Sequence, residues 1–475
     1  MLRLSPLALC LGLAATAQAG DIDVYFNHPV NPPAVETNLE QVVIDVIDAA
    51  SSSLDVAIYD LDLPGIANAL KAARQRGVTV RVITDEDNIG AENQQALAIL
   101  EGAGIPWIDD TENGSAGSKI QHNKFIVVDG RKVLTGSTNF TQSGIHGDLD
   151  AQGQLISAGN LNHMLVIQSQ QLAGEYAYQF NQMWGDGQGG AKDSLFGLGK
   201  QDHQLTVTYT DNDNIKVEVQ FTPQSPTLYA GSTLANLEAW LKGAEQRIEV
   251  AQFAFSAQVL ADAMQVAQGR GAEIRGVGDS SFFYRYFSEF QDMAGIAKLN
   301  DNGEYEVDAY TGHGNNPWPT PVEVYAAKVP GGDKLHHKFF VIDNMVVTGS
   351  HNASGAAAFG NDENLIAIHD ANVAAQFHGA FERMFCEAKG ESDCAGAPLP
   401  AGGTWEGVTF TGAQVQATLE LANTASQATL DDAVALDSRA AGNIVAARPI
   451  ADMDALAAIG YVGSSALTKL RDYQP

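Results

Sequence analysis

A chain of 475 residues that is 45% hydrophobic has the length for two to four domains and the apolar content for large cores, which excludes a disordered protein. Its formal charge of −30 at pH 7 repels DNA and anionic membranes at long range. Net charge alone therefore brings it to neither, and fits a strongly solvated surface or a salty medium.

The first element reads as a leader. Arg3 precedes an apolar run from Leu7 to Ala15, and Ala17-Gln18-Ala19 offers a small-residue cleavage site before Gly20. Residues 1–19 are thus expected to be a signal peptide, and the mature chain to be secreted or periplasmic. Cys10 follows Leu9, where a lipoprotein would carry a small residue. Losing the leader removes Arg3 and takes the charge to −31. No later stretch is apolar for long enough to span a membrane.

The mature chain repeats itself. "SSLDVAIYDLDLPGIANALKAARQRGVTVRVITDE" (Ser52 to Glu86) matches "QRIEVAQFAFSAQVLADAMQVAQGRGAEIRGVGDS" (Gln246 to Ser280). Each reads as strand, helix, strand: apolar strands at Val56–Tyr59 and Val250–Phe255, then a helical pattern such as Ile66, Ala69, Leu70, Ala73, closed by Gly77 or Gly271. Strands separated by helices predict parallel pairing. A further strand follows in each half, Phe125–Asp129 and Phe339–Asp343. Both halves end in a strand and an amphipathic helix, Asn162 to Trp184 and Glu363 to Phe385. The fold class expected is α/β, a two-lobed duplicated sandwich with mixed, largely parallel sheets and a small all-α C-terminal domain. The boundaries expected are a first lobe at 20–185, a Gly-rich linker at 186–203, a second lobe at 204–389, a linker at 390–403 and a helical tail at 404–475. The second half carries extra loops, "SSFFYRYF" (Ser280 to Phe287) and "HGNNPWP" (His313 to Pro319), which either cover a substrate entrance or fill a core. Cys386 and Cys394 flank a polar loop as a small disulfide would.

The added strands carry the chemistry. "IQHNKFIVVDGRKVLTGSTNFT" (Ile120 to Thr141) and "KLHHKFFVIDNMVVTGSHNAS" (Lys334 to Ser354) share H-x-K-x4-D followed by G-S-x-N. The matched residues are His122, Lys124, Asp129, Gly136, Ser137 and Asn139 against His336, Lys338, Asp343, Gly349, Ser350 and Asn352. One such match arises easily by chance; two with equal internal spacing do not. Two histidines brought together by a pseudo-two-fold axis can divide labour, one attacking an electrophile and the other protonating the leaving group. Lysines, asparagines and the serine hydroxyls supply charge and donors for an anion, which suits a phosphodiester. A nucleophilic histidine needs its other ring nitrogen held, usually by a carboxylate. Glu363 is placed to do so; the corresponding residue of the first half is Asn162, with Asp148 and Asp150 as alternatives. Asp129 and Asp343 stand before turns, so a turn role competes with a catalytic one. Gly136 and Gly349 read as backbone requirements. His337 should face away from His336, as neighbours in a strand do. No metal motif appears, and neither metal nor cofactor is expected for the chemistry.

With both motifs complete, the stretch from Asp21 to Glu387 resembles the phospholipase D superfamily. That resemblance implies a single-chain, two-lobed sandwich with its site between the lobes. It also implies a covalent phosphohistidine resolved by water or an alcohol, without a metal in many members. Carried over, His122 is the nucleophile and His336 the general acid, with Lys124, Lys338, Asn139 and Asn352 holding phosphate. The tail "LDSRAAGNIVAARPIADMDALAAIGYVGSSALTKLRDY" (Leu436 to Tyr473) resembles a helix-hairpin-helix DNA-binding domain, with Gly460-Tyr461-Val462-Gly463 as the hairpin and Leu467 and Leu470 on the next helix. Tyr461 stands where that motif has a glycine, and the tail from Thr404 carries a net charge of −4. Three functions remain open: a phospholipase D with peripheral membrane contact, an endonuclease with DNA contact through the tail, and a non-catalytic binding protein. A monomer is expected throughout.

Overall fold

The computed structural model describes residues 20–28, 37–111, 119–150, 152, 154–391, 394, 403–410, 412–448, 450 and 453–473. The expected leader and most of the second linker lie outside these.

Among the described residues, seven strands form the first sheet: β1 (Ile22–Asn27), β2 (Ser53–Ile58), β3 (Thr79–Ile83), β4 (Trp107–Ile108), β5 (Lys124–Val128), β6 (Lys132–Gly136) and β7 (Asn162–Gln168). Their order is β1-β7-β6-β5-β2-β3-β4. The second sheet holds β8 (Thr206–Tyr209), β9 (Lys216–Phe221), β10 (Arg247–Gln252), β11 (Glu273–Gly278), β12 (Glu323–Ala326), β13 (Lys338–Ile342), β14 (Met345–Gly349) and β15 (Asn364–His369). Read from the β8 edge, its order is β8-β9-β15-β14-β13-β10-β11-β12. The duplication is thus complete strand for strand, with β8 added at one edge.

The sheets are mixed, as expected, but parallel pairing is the smaller share. It is confined to β2-β3-β4 and β10-β11-β12, and every other neighbour is antiparallel. The cause is local. A helix such as Pro64–Gln75, with Ile66, Ala67, Leu70 and Ala73 buried, carries the chain back to start a parallel strand. Each motif strand is instead followed by a tight hairpin, which admits only antiparallel pairing. At the first, Asp129 (φ 54°) and Gly130 (φ 62°) both adopt the left-handed conformation such a turn requires.

The two sheets face each other across helices Gln170–Trp184 and Ala371–Lys389. The central core joins Phe125, Leu165 and Tyr176 of the first lobe to Val219, Phe339, Ile366 and Phe377 of the second. Separate cores lie outside each sheet, under the crossover helices. Continuous burial on both faces explains why β5 and β13 read as unbroken apolar runs.

The segment between the lobes is packed rather than loose. Phe196 is buried, and Lys200 makes a buried ion pair with Asp362 while donating to the Thr222 carbonyl at 2.8 Å. The tail has its own core around Leu430, Ala441, Ile444, Leu456 and Leu467. It is not all-helical: a hairpin of β16 (Gly403–Trp405) and β17 (Val408–Phe410) precedes its helices. Short β-branched and aromatic runs around a Glu406-Gly407 turn, both at positive φ, account for it. Cys386 and Cys394 are disulfide-bonded, in line with their spacing. No helix among the described residues is long and apolar enough to cross a membrane.

Candidate active site

Both motif histidines sit just before their strands, where the backbone leaves its own sheet and pairs with the other lobe. The His122 N–H donates to the Asp362 carbonyl, and the His336 N–H to the Leu161 carbonyl, each at 2.9 Å. Asp362 and Leu161 lie at the entries to β15 and β7. The residues that follow them, Glu363 just before β15 and Asn162 at the start of β7, are thereby carried to the opposite lobe's histidine. His122 Nδ1 donates to Glu363 Oε2 at 2.7 Å, and His336 Nδ1 to Asn162 Oδ1 at 3.0 Å. Glu363 thus holds a histidine across the interface. Asn162 serves His336, not the histidine of its own half. Asp148 and Asp150 orient neither; they close the 148–157 loop through main-chain contacts with Ile156, Gln152 and Gln154.

With Nδ1–H engaged, each imidazole turns its Nε2 into the site, an attacking atom when unprotonated and an acid when it carries a second proton. Burial, then the charges of Lys124 and Lys338, holds His122 far below its ordinary range; burial and the same lysines do so for His336. Burial pushes the Glu363 carboxyl up to about 7. Lys124 Nζ donates to the His122 carbonyl at 2.8 Å; Lys338 Nζ donates to the His336 carbonyl at 3.0 Å and lies 3.1 Å from His336 Nε2. Both lysines are 1% exposed. Burial brings Lys124 down to about 7, while burial and the Lys124 charge drive Lys338 well below the normal lysine range. Two buried lysines beside one carboxylate make a site that an anionic diester oxygen would charge and satisfy.

Asn139 and Asn352 are half-buried, and each leaves its amide oxygen buried without a partner. An amide meets a phosphate oxygen only through its NH2 group, so Nδ2 of each is the atom that could serve there. The serines behave otherwise. Ser137 Oγ donates to Asn162 Oδ1 at 3.0 Å, and Ser350 bonds Glu363 while accepting from the Asn364 N–H at 3.0 Å. Fully buried, they brace the two orienting residues instead of facing a substrate. The glycines before them are required: a Cβ on Gly136 or Gly349 would lie 2.3 Å from the carbonyl of His163 or Asn364.

Asp129 and Asp343 are not at the site. Asp129 accepts from the N–H groups of Ser51, Ser52 and Ser53, and Asp343 from those of Glu245, Gln246 and Arg247. Both have positive φ and fasten the far end of the motif hairpin to the start of the neighbouring strand. Seven residues of extended chain, on the order of 20 Å, separate each aspartate from its histidine and put it out of reach of any reacting atom.

Several contributors carried no motif signal. Tyr59 and Phe253 stand edge-on to His122 and His336, with ring centroids 4.9 and 5.0 Å away, at the ends of β2 and β10. Behind the histidines, Asn364 donates to Asn123 at 3.2 Å in one half of the pseudo-two-fold. In the other half the same positions are His163 and His337, with Nδ1 atoms 2.9 Å apart. His337 does face away from His336, as the alternation requires. Among the described residues, the one trio of potential metal ligands drawn within 4.8 Å is Glu249, His378 and Glu382; Arg275 ion-pairs with both glutamates.

This set can carry out a two-step displacement at phosphorus. His122 Nε2 would attack phosphorus while His336, having taken up a second proton at Nε2 beside the anionic diester, would give that proton to the departing alkoxide; neutral His336 would then take a proton from water, whose oxygen would displace His122 from phosphorus. The lysines and asparagines hold the equatorial oxygens.

Comparisons with known proteins place the chain in a family. The family described as "Cardiolipin synthase, PLD-like domain" matches residues 43–184 and again 237–385, more than half of the chain. The mitochondrial cardiolipin hydrolase of Xenopus tropicalis is 31% identical over 135 residues, 28% of this chain and 56% of that protein. The phospholipase D of Rickettsia conorii is 32% identical over 145 residues, 30% of this chain and 62% of that protein. The chain thus spans little more than half the length of these curated relatives. Phosphatidylserine synthase from Haemophilus influenzae shares the fold with a TM-score of 0.51 at 12% identity, covering 78% of this chain and 86% of that one. Two family matches, one per lobe, meeting at one shared pair of histidines, make this chain a member of the phospholipase D superfamily.

Proposed function

We propose that the protein is an exported phosphodiesterase that acts through a phosphohistidine on His122, with His336 as general acid, and that its substrate is a phospholipid headgroup diester. One observation supports the assignment of roles above all others: the carboxylate of Glu363 on His122 against the neutral amide of Asn162 on His336. A carboxylate stabilises the cationic character that an imidazole gains on bonding phosphorus; an amide fixes orientation without that charge. Both halves of the site lie in one chain, so a monomer suffices.

The site's surroundings favour lipid. From His336 an aromatic series leads outward through Phe253, Phe282 and Phe287 to Tyr286, which is exposed. Leu149, Leu155 and Ile156 are also exposed, on a loop tied to the second lobe where the Ala158 N–H donates to Asp333 at 2.9 Å, three residues before His336. An apolar rim beside the site suits insertion among acyl chains, and the acidic remainder favours zwitterionic over anionic surfaces.

A second reading, cleavage of nucleic acid, draws on the tail. The Gly460–Gly463 turn leads into helix Ser464–Asp472, and Tyr461 is exposed with its ring under the Arg439 guanidinium at 4.2 Å. A helix-hairpin-helix would hold phosphate at that helix start.

The deciding experiment is a side-by-side turnover assay of the mature protein on phosphatidylcholine vesicles and on plasmid and single-stranded DNA, with His336→Ala as the blank. Choline release without nicking supports the lipid reading; nicking without choline release replaces it with the nuclease.

A further inference from the structure

Glu363 is held from two sides by residues that belong to neither motif. Thr222 follows β9 and lies beside it. The Thr222 N–H donates to the Glu363 carbonyl at 3.0 Å, and the Glu363 N–H donates to Thr222 Oγ1 at 3.0 Å. That hydroxyl in turn donates to the Asn361 carbonyl at 2.8 Å. On the other side stands Asp362, which carries His122. Its carbonyl accepts the His122 N–H and its own N–H donates to the Ile120 carbonyl, each at 2.9 Å.

One lysine of the segment between the lobes ties both anchors together. Lys200 Nζ ion-pairs with the Asp362 carboxylate and donates to the Thr222 carbonyl at 2.8 Å. The Gly197 N–H meets the same carboxylate, 3.1 and 3.0 Å from its two oxygens. The Lys200 side chain is 4% exposed and that of Asp362 is fully buried. A buried ion pair is tolerated only where further hydrogen bonds complete it, as they do here. Burial lowers Lys200 from its ordinary value, and the charges of Asp362 and Glu363 oppose that, so the lysine and the orienting carboxylate lie within each other's field.

The opposite half lacks this brace. Asn27 pairs with Asn162 as Thr222 pairs with Glu363, and Asn27 Nδ2 donates to the Asn160 carbonyl at 2.8 Å, the equivalent of the Thr222–Asn361 bond. Where the second lobe has Asp362, however, the first has Leu161, whose side chain can receive no lysine.

We infer that Lys200 is a positioning residue for the nucleophilic half of the site: through Asp362 and Thr222 it fixes where Glu363 presents its carboxylate to His122. The inference rests on His122 being the attacking histidine. An attacking imidazole has to keep its carboxylate in place while charge builds on the ring, and a misplacement of about 1 Å costs on the order of 10²-fold in rate. A histidine that donates a proton needs orientation alone, and its half carries no ion pair.

The test compares the full mature chain with Lys200→Met/Asp362→Asn, which removes both charges and leaves none buried alone. Asp362→Asn, which keeps an acceptor for the Gly197 N–H, is the second variant. On a p-nitrophenyl phosphodiester, kcat is expected to fall about 10- to 100-fold with KM nearly unchanged. In protein carrying isotope-labelled histidine, the Nδ1 proton resonance of His122 should move or broaden while that of His336 stays in place. The two are assigned from the His122→Ala and His336→Ala proteins. A folded double variant with parental kcat and an unmoved His122 resonance would overturn the inference and leave the ion pair a packing element. Equal movement of both histidine resonances would overturn it too, by marking a general loosening between the lobes. Failure of both variants to fold, read by near-ultraviolet circular dichroism, would assign the pair to folding and against positioning. A parent that turns over no diester would sink the proposed function instead, and the resonances would still judge Lys200.

Discussion

Glu363 and His122 belong to different lobes, 241 residues apart, yet meet at 2.7 Å. Their pseudo-symmetric counterparts, Asn162 and His336, meet at 3.0 Å. The histidines are matched in position and unequal in what holds them. Replacing Glu363 by Gln keeps the hydrogen bond and removes the charge. Turnover is expected to fall by about 10²–10⁴-fold. Asn162→Ala should cost less on substrates with good leaving groups. Equal losses for the two variants on a p-nitrophenyl diester would contradict the division of roles.

The histidines themselves separate in the same assay. His122→Ala should abolish turnover on every diester, because no covalent intermediate forms. His336→Ala should abolish turnover on natural alcohols but retain a burst with p-nitrophenyl leaving groups, which need no proton. Acid-quenched protein from that burst should carry its phosphoryl group on the peptide containing His122. Labelling of the His336 peptide in His122→Ala would reverse the assignment.

The acid side of the rate profile follows from the His122–Glu363 pair. As pH falls through about 7, the carboxyl takes up a proton and ceases to support a charged imidazole. The value of kcat/KM should therefore decline as the pH falls below about 7. In Glu363→Gln this limb should be missing near 7, leaving a low and flatter profile. A limb unchanged in the variant would place the titrating group elsewhere.

Stability should also depend on acid, through histidines outside the reaction. Burial lowers His163 to about 3 and His351 to about 4, and drives His337 well below 6.5. In the unfolded chain each protonates near 6.5, so below that pH the unfolded state binds more protons and folding weakens. The stabilisation is complete above 6.5 and is lost between 6.5 and the folded values. Each histidine contributes up to about 1.4 kcal/mol per pH unit in that window. Converting the His163–His337 pair to Asn–Asn, the arrangement already present at Asn364 and Asn123, should make the acid limb of the melting curve shallower. An unchanged limb would show that other groups govern it.

Asp129→Ala tests the turn assignment. It removes acceptors for three N–H groups and a residue suited to positive φ, and should cost about 1–3 kcal/mol of stability. The kcat of the folded fraction should stay within a few fold of the parent. A loss of many orders in kcat would return Asp129 to the chemistry.

What was legible before the structure was what repeats in the sequence. His122 and His336 with their lysines and asparagines, the strand-for-strand duplication and the disulfide partners all followed from spacing and pattern. The equivalence of Asn162 and Glu363 was legible too, but not the histidine each serves, because the exchange depends on backbone crossing between lobes at Asp362 and Leu161. The serines were misread since H-x-K-x4-D and G-S-x-N look alike as donors until burial shows which face inward. Parallel pairing is the smaller share because the turns at Asp129 and Asp343 fold each motif strand back on the next as a hairpin, whereas the helix-separated pattern marks only the parallel pairs. His163 and Asn364 differ in type at one symmetric position, so no repeat marked them.

The crossed exchange between lobes also bears on symmetry. A symmetric pair of identical chains could build this interface, but each histidine would then receive the same partner, two glutamates or two asparagines. Placing a carboxylate on one and an amide on the other requires the two copies to differ in sequence, as two lobes of one chain can. The lobes can therefore hold their two histidines unequally within one symmetric frame. The same difference lets one half carry Asn123 and Asn364 where the other carries a pair of histidines.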